Sequence, residues 1–128
     1  MKINEDKTGL MCVSTATSFD AKTSLKVGNV TVYGSSDIKV LGVTIDSNCS
    51  FASHVEQVVK KLRSKTWALS RLRRAGLSEA QLINAYKGLI RPSAEYATPV
   101  WHSLLTAQQA ACLERQQTQA LKLSLIHI

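Results

Sequence analysis

Seven basic residues lie between positions 60 and 74, and no aspartate or glutamate occurs between Glu56 and Glu79. If this segment is helical, successive residues are about 100° apart, and one sector of about 80° collects four of the cations around a tryptophan. These five residues, called the basic face below, are Lys60, Arg63, Trp67, Arg71 and Arg74. Because guanidinium and ammonium groups bind phosphate oxygens, the pattern predicts a phosphate-rich partner.

An ordinary solvated helix surface is the alternative interpretation, with Trp67 packed against a neighbouring helix. Solvated helices commonly mix charges of both signs, whereas the positive side chains of this segment repel one another. They therefore need negative charge from outside the helix. The whole chain of 128 residues shares the bias, with 16 Lys and Arg against 9 Asp and Glu and a formal charge of +7. This balance favours anionic partners such as nucleic acid or acidic membrane surfaces.

The sequence offers little other catalytic or metal-binding chemistry. The aspartates are isolated and form none of the closely spaced pairs that hold Mg²⁺ in polymerases and nucleases. They are Asp6, Asp20, Asp37 and Asp46. The three histidines and three cysteines lack zinc-ligand spacing, and no serine-nucleophile or glycine-rich phosphate-loop motif occurs. We therefore expect no metal or cofactor to be bound by this chain itself.

The first 50 residues contain short apolar runs separated by turns, which predicts a small antiparallel sheet. Gly28-Asn29 separates two such runs and predicts a two-residue hairpin turn, because glycine accepts the positive φ of a type II′ turn. The run from Ile38 to Asp46 is rich in β-branched residues and predicts one further strand.

From Phe51 onward the apolar period changes from two to about 3.6, which predicts helices. The apolar stripe of the first helix comprises Phe51, Val55, Val58, Val59, Leu62, Thr66 and Leu69. Capping-box spacings at Ser53, Ser78 and Thr106 predict three helix starts, and Gly76 and Pro92 predict the ends of the first two helices. The expected architecture is α+β, with the sheet at 1–50 and a three-helix bundle at 51–122.

The expected location in the cell depends on whether the sequence contains a membrane span or a signal peptide. No run of 18 apolar residues occurs, and the first residues have no apolar signal core. We therefore expect a chain of the nucleus or cytoplasm that is neither secreted nor inserted in a membrane.

Four segments share their residues and their order with one protein family. Asn4, Lys7 and Thr8 match an N-x-x-K-T element, and Val40 to Asp46 matches an LGV-x-hydrophobic-D hairpin. The third segment is the helix opening with Phe51 and His54. Leu89 to Trp101 matches an L-x-x-P-x-x-x-Y-x-x-P-V-W stretch. In this order the segments resemble the reverse transcriptases of LINE-type (non-LTR) retrotransposons, and they cover almost the whole chain through Lys122.

The resemblance implies that 1–50 is the end of a polymerase palm and 51–122 a helical thumb that closes on the template–primer duplex. The parent enzymes are RNA-directed DNA polymerases, which use Mg²⁺ and deoxynucleotides. The implied partners are an RNA–DNA or DNA duplex and the upstream fingers and palm. By motif, Lys7 is implied as proton donor to the leaving pyrophosphate, and the hairpin residues Val40, Leu41 and Gly42 as the primer grip.

Each of these residues also has a purely structural interpretation. Lys7 can be a surface lysine in a loop, and Gly42 can mark a bulge in a core strand. For Tyr96, Pro99 and Trp101 we expect packing between thumb helices rather than stacking on bases, because aromatic residues in a connection usually anchor it.

The family's fingers and catalytic aspartates would lie before Met1, so we expect a fragment that contributes duplex binding and is inactive alone. The apolar tail from Leu123 to Ile128 can be encoded by DNA resembling the adapters of transposon-based sequencing libraries, and we expect it to be an artefact. Two other interpretations stay open. They are a free-standing basic nucleic-acid-binding module and a non-functional retroelement relic that does not fold stably.

Overall fold

The computed structural model describes residues 2–13 and 23–125, with strands in the first part of the chain and helices in the second. Two compact units divide the chain, Met1–Ser53 and His54–Ile128. The expected α+β class with antiparallel strands first is therefore confirmed in general terms. Within the described ranges no helix is long and apolar enough to cross a membrane.

The first unit contains two separate β-hairpins instead of the one sheet expected. Strand β1 (Ser24–Val27) pairs with β2 (Val30–Tyr33), and β3 (Asp37–Val40) pairs with β4 (Val43–Asp46), each pair antiparallel. In the short link between the hairpins, the Gly34 amide donates to the Thr23 carbonyl at 2.8 Å, which extends the pairing of β1 with β2. The Ser35 amide donates to the Leu10 carbonyl at 2.9 Å.

Both hairpins turn on residues with positive φ. Gly28 has a φ of 60°, as expected for the predicted turn between β1 and β2. The prediction of one strand from Ile38 to Asp46 is wrong, because Leu41 and Gly42, with φ of 49° and 86°, form a two-residue turn that folds this run back on itself. Two consecutive left-handed residues define a type I′ turn, whose twist matches that of the flanking strands.

Helix α1 (Ala52–Arg74) buries the predicted apolar stripe. All seven stripe residues are buried, although Phe51 has a φ of 54° and lies just before the helix. The helix ends as predicted, since Gly76 has a φ of 92° and its amide donates to the Arg73 carbonyl at 3.0 Å. The Leu77 amide donates to the Leu72 carbonyl at 3.4 Å, which completes a Schellman motif.

The predicted start of α1 at Ser53 is wrong by two residues, because Ser53 already lies inside the helix. The turn before α1 is stabilised by hydrogen bonds to a residue outside the helix. The Asp46 carboxylate accepts hydrogen bonds from the Ser50 hydroxyl and, at 3.0 Å, from the Phe51 amide. The Ser50 hydroxyl oxygen accepts from the Ala52 amide at 3.4 Å.

The remaining helices include one π-helical segment, Tyr86–Ile90, that the sequence did not predict. The others are α2 (Glu79–Ala85), α3 (Arg91–Glu95), α4 (Thr98–Trp101), a 3₁₀ turn (His102–Leu104) and α5 (Ala107–Leu125). The capping boxes at Ser78 and Thr106 form, since each serine or threonine oxygen and the third following glutamine exchange the expected bonds.

Pro92 does not end the second helical region, contrary to prediction. Helical geometry runs through it to Glu95, because the preceding π-helical turn changes the hydrogen-bond register. The Arg91 amide donates to the Tyr86 carbonyl, five residues back, and Pro92 falls in the first turn of α3, where a missing amide is tolerated.

The core of the second unit is formed by side chains from several helices. Its largest fully buried residues are Leu62, Leu69, Ile90 and Trp101. The described part of the C-terminal tail, through Leu125, continues α5, and Ile126, His127 and Ile128 lie outside the described residues.

Candidate nucleic-acid interface

The four cations of the basic face are exposed on α1. Lys60, Arg63, Arg71 and Arg74 each lie on the solvent side of the helix, and in the described part of the chain none pairs with a carboxylate. The negative end of the helix dipole lies near Arg71 and Arg74 and partly compensates the charges of these two residues. The face is therefore available to an external polyanion.

Trp67 lies in the middle of this face and is 61% exposed. The guanidinium carbon of Arg71 lies 4.9 Å from the centre of its ring, a cation–π contact between residues one helical turn apart. The indole is therefore on the surface beside the cations.

The other basic residues of α1 include two that stabilise the helical unit. The Lys65 ammonium donates to the Leu89 carbonyl at 3.0 Å and to the Ser93 hydroxyl. The Arg73 guanidinium donates to the Leu123 carbonyl at 3.1 Å. The structure thus separates cations with internal partners from the exposed cations of the basic face, although all belong to one sequence cluster.

A cleft of about 540 Å³ opens between α1 and α5 and shares Arg63 and Trp67 with the basic face. Besides one leucine, it is lined by Arg63, Thr66, Trp67, Ser70, Gln116 and Gln119. Its volume is within the range of small-molecule sites, and its lining combines one cation, an indole, two hydroxyls and two amides.

The two glutamines of the cleft were not predicted as site residues. The sequence nevertheless contained a signal for Gln116, because this residue lies at helical spacing from Leu113 and Ala120. In the structure all three residues are buried. An amide at a position where the helical period favours an apolar residue indicates either a buried hydrogen bond or a polar site.

Lys7 is exposed at the end of a 3₁₀ turn, Glu5–Lys7. Asn4 closes this turn, since its side-chain oxygen accepts from the Asp6 amide at 3.1 Å and its carbonyl accepts from the Thr8 hydroxyl at 2.8 Å. The Asn and Thr of the N-x-x-K-T element therefore form a local turn that presents the lysine to solvent.

The residues of the primer-grip-like hairpin form the tip of β3 and β4. Val40 ends β3, Leu41 and Gly42 make the turn, and Leu41 is 87% exposed. Gly42 lies in a tight turn rather than at a bulge. Asp46, at the end of the same motif, is a structural residue: partial burial alone would raise its pKa, but the hydrogen bonds from Ser50 and Phe51 together lower the pKa below its ordinary value.

Trp101 and its neighbours in the third matched segment have different surroundings. Trp101 is 1% exposed, its indole nitrogen donates to the Tyr96 carbonyl at 3.0 Å, and its ring centre lies 5.1 Å from that of His54 in an edge contact. Tyr96 and Pro99 are exposed instead. The expected packing role thus applies to Trp101, while the rings of Tyr96 and Pro99 face solvent.

The described residues contain no group of three His, Cys, Asp or Glu side chains placed to hold a metal ion.

Comparisons of the chain with protein-family models, with curated proteins and with solved structures give no significant match.

Proposed function

We propose that the second unit binds a nucleic-acid duplex through the basic face of α1. The observation that carries this proposal is the set of four exposed cations without carboxylate partners in the described residues, arranged on one side of a single helix. Phosphate contacts by such cations release condensed counterions, which supplies most of the free energy of sequence-independent binding.

The length of α1 supports a duplex rather than a small anion as the partner. Its 23 residues extend over about 34 Å, which is close to the length of one duplex turn. A helix of this length can follow the phosphates along a groove, whereas one phosphate would contact only one or two of the cations.

We further propose that the chain is part of an RNA-directed DNA polymerase of a non-LTR retrotransposon, in which the second unit is the thumb. The four matched segments support this proposal, and the duplex would be the RNA–DNA hybrid that such an enzyme produces. In this role Lys7 would donate a proton to the leaving pyrophosphate, and the tip formed by Val40, Leu41 and Gly42 would contact the primer.

A free-standing nucleic-acid-binding module is the second candidate. The observation that favours it is the core of the second unit, where Leu62, Leu69, Ile90 and Trp101 are fully buried by residues of the chain as it stands. A core of this kind also argues against an unfolded relic.

The test is the equilibrium affinity for a labelled RNA–DNA hybrid, measured by fluorescence anisotropy over a series of salt concentrations. Four phosphate contacts predict a slope of log affinity against log salt of about −3.6, from about −0.9 per contact. A variant of the basic face, called the stripe variant, changes Lys60, Arg63, Arg71 and Arg74 to Gln. This variant should reduce the slope to near zero.

A control variant removes the same number of charges elsewhere. It changes the exposed residues Lys26, Lys39, Lys87 and Lys122 to Gln. The proposal predicts that the control keeps most of the slope. Equal losses in the two variants would instead indicate attraction by net charge alone and would contradict a role for the basic face.

The parentage of the chain is tested by joining it to the fingers and palm of a LINE-type reverse transcriptase and measuring product length in single-encounter extension. The stripe variant should shorten the products, while the control variant should not. Unchanged product length in the stripe variant would favour the free-standing module.

A further inference from the structure

The cleft between α1 and α5 has a composition that phosphate binding does not explain. Only Arg63 brings a positive charge to it, while the other polar groups of its lining are amides and hydroxyls. Phosphate sites concentrate cations and backbone amides, so a neutral polar lining beside an aromatic ring indicates a ligand with a flat surface and a polar edge.

Gln116 is the most informative residue of this lining. It is 6% exposed, and the hydrogen bonds formed within the described ranges include none to its side-chain amide. Because the residue lines the cleft, its amide nitrogen and oxygen are open to solvent there and can bond a ligand.

The hydroxyl groups of the cleft act as acceptors. The Thr66 hydroxyl donates its hydrogen to the Leu62 carbonyl at 2.8 Å, and the Ser70 hydroxyl donates to the Trp67 carbonyl at 2.7 Å. Each oxygen keeps lone pairs that can accept from a ligand. With the amides of Gln116 and Gln119, the cleft presents both donors and acceptors, as the edge of a nucleobase does.

Trp67 and Arg63 connect the cleft to the basic face, because both residues belong to each. A strand whose phosphates contact the cations of α1 therefore passes the mouth of the cleft. A base that is paired within a duplex cannot enter, but an unpaired base can leave the stack and insert beside the indole.

We infer that the cleft takes a single unpaired nucleobase from a strand bound along the basic face. Trp67 stacks on the base, and Gln116 and Gln119 bond its edge. This inference rests on the proposed function of the basic face, since the strand must first be bound there.

The experiment compares two RNA–DNA hybrids with the same number of phosphates, one fully paired and one with a single unpaired 2-aminopurine nucleotide in its DNA strand. Stacking contributes about 1–3 kcal/mol per base, so the chain should bind the second hybrid at least about five-fold more tightly. Insertion beside Trp67 should also quench the 2-aminopurine fluorescence.

Variants of the glutamines test the edge contacts. Gln116→Leu should bring the ratio of the two affinities close to one. Gln119→Leu, at an exposed position that does not endanger folding, should lower the ratio by about half or more. Gln108→Leu removes an exposed amide from the same helix outside the cleft and should keep the full ratio.

Failure of the inference and failure of the proposed function give different results. Equal affinity for the two hybrids with a steep salt slope would overturn the cleft proposal and leave the basic face intact. A flat salt slope for both hybrids would overturn both proposals. A ratio that falls equally in Gln108→Leu would also overturn the assignment to the cleft.

Discussion

Arg71 and Trp67 form a cation–π pair on the surface of α1, with 4.9 Å between the guanidinium carbon and the ring centre. Residues four apart in a helix lie on the same face, so the contact needs no rearrangement of the backbone. At an exposed site such a pair contributes about 0.5–1 kcal/mol, enough to favour one orientation of the indole. The ring is thereby held within the basic face, where it also lines the cleft.

The first prediction concerns the electrostatic potential around this ring. Iodide should quench Trp67 fluorescence efficiently, because the surrounding cations raise the local concentration of anions. The stripe variant should lower the iodide quenching constant about two-fold at low ionic strength. Trp101 is 1% exposed and should contribute little to the quenched fraction.

Two controls separate the effect of the electrostatic potential from the effect of the solvent exposure of the indole. Neutral acrylamide should quench the parent chain and the stripe variant equally, and the difference with iodide should disappear near 1 M salt, where the screening length falls to about 3 Å. If the stripe variant also lost quenching by acrylamide, the indole would have changed its exposure, and the electrostatic explanation would be incorrect.

The second prediction distinguishes the two tryptophans by stability. Trp101→Phe should lower the free energy of unfolding by about 2 kcal/mol, because it leaves a gap in the core and removes the donor to the Tyr96 carbonyl. Trp67→Phe should change stability by less than about 0.5 kcal/mol, since this ring is mostly exposed.

Urea unfolding monitored by circular dichroism measures both changes in stability. The affinity for the RNA–DNA hybrid is measured as a second property of the variants. Trp101→Phe should retain affinity under conditions where the variant is folded. A stable Trp101→Phe protein would mean that this side chain is not part of the core.

Local sequence patterns predicted those elements whose stabilising contacts are themselves local. The capping boxes at Ser78 and Thr106 form because both partners lie within one helical turn. The box at Ser53 does not form, because Asp46 in the preceding strand bonds the segment before α1 and the helix begins earlier. The strand pattern did not predict the turn at Leu41-Gly42, because leucine is uncommon at positive φ, although the family resemblance implied a hairpin there.

The candidate site was only partly predictable, because local sequence patterns reveal only local contacts. Helical periodicity placed Lys60, Arg63 and Arg71 on one face without knowledge of the tertiary structure. The internal roles of Lys65 and Arg73 depend on carbonyls 24 and 50 residues away, which no local pattern reveals. Such long-range partners decide which cations remain available to a ligand.

The third prediction concerns acid stability and Asp46. Its pKa in the folded chain lies below the ordinary value of 3.8, so its contribution to stability is complete above that value and is lost as the pH falls through the folded pKa. Asp46→Asn should remove this contribution and lower stability at pH 6 by about 1 kcal/mol.

Unfolding measured between pH 2 and pH 6 provides the test, with NMR titration of the Asp46 carboxyl as a direct readout. Ser50→Ala should raise the pKa toward the ordinary value while the bond from the Phe51 amide remains. Asp6→Asn is the matched control, because Asp6 is exposed and lies outside the hairpin that contains Asp46. An identical acid profile for Asp46→Asn and the parent chain would refute the structural role of this carboxylate.

The fourth prediction concerns Ala97, which has a φ of 53° at the start of α4. A left-handed conformation costs a residue with a Cβ about 1–2 kcal/mol, and glycine avoids this cost. Part of the gain is offset by the greater freedom of glycine in the unfolded chain. Ala97→Gly should therefore stabilise the protein by about 0.5–1 kcal/mol in urea unfolding.

A glycine placed in an ordinary helical position provides the comparison for Ala97. Ala111 is exposed in the interior of α5, so Ala111→Gly should destabilise the protein by about 1 kcal/mol. The same substitution thus has opposite signs at two positions, and the sign depends on the backbone conformation alone. If Ala97→Gly destabilised the protein as much as Ala111→Gly does, Ala97 would be in a right-handed conformation in solution, and the turn between α3 and α4 would differ from the one described.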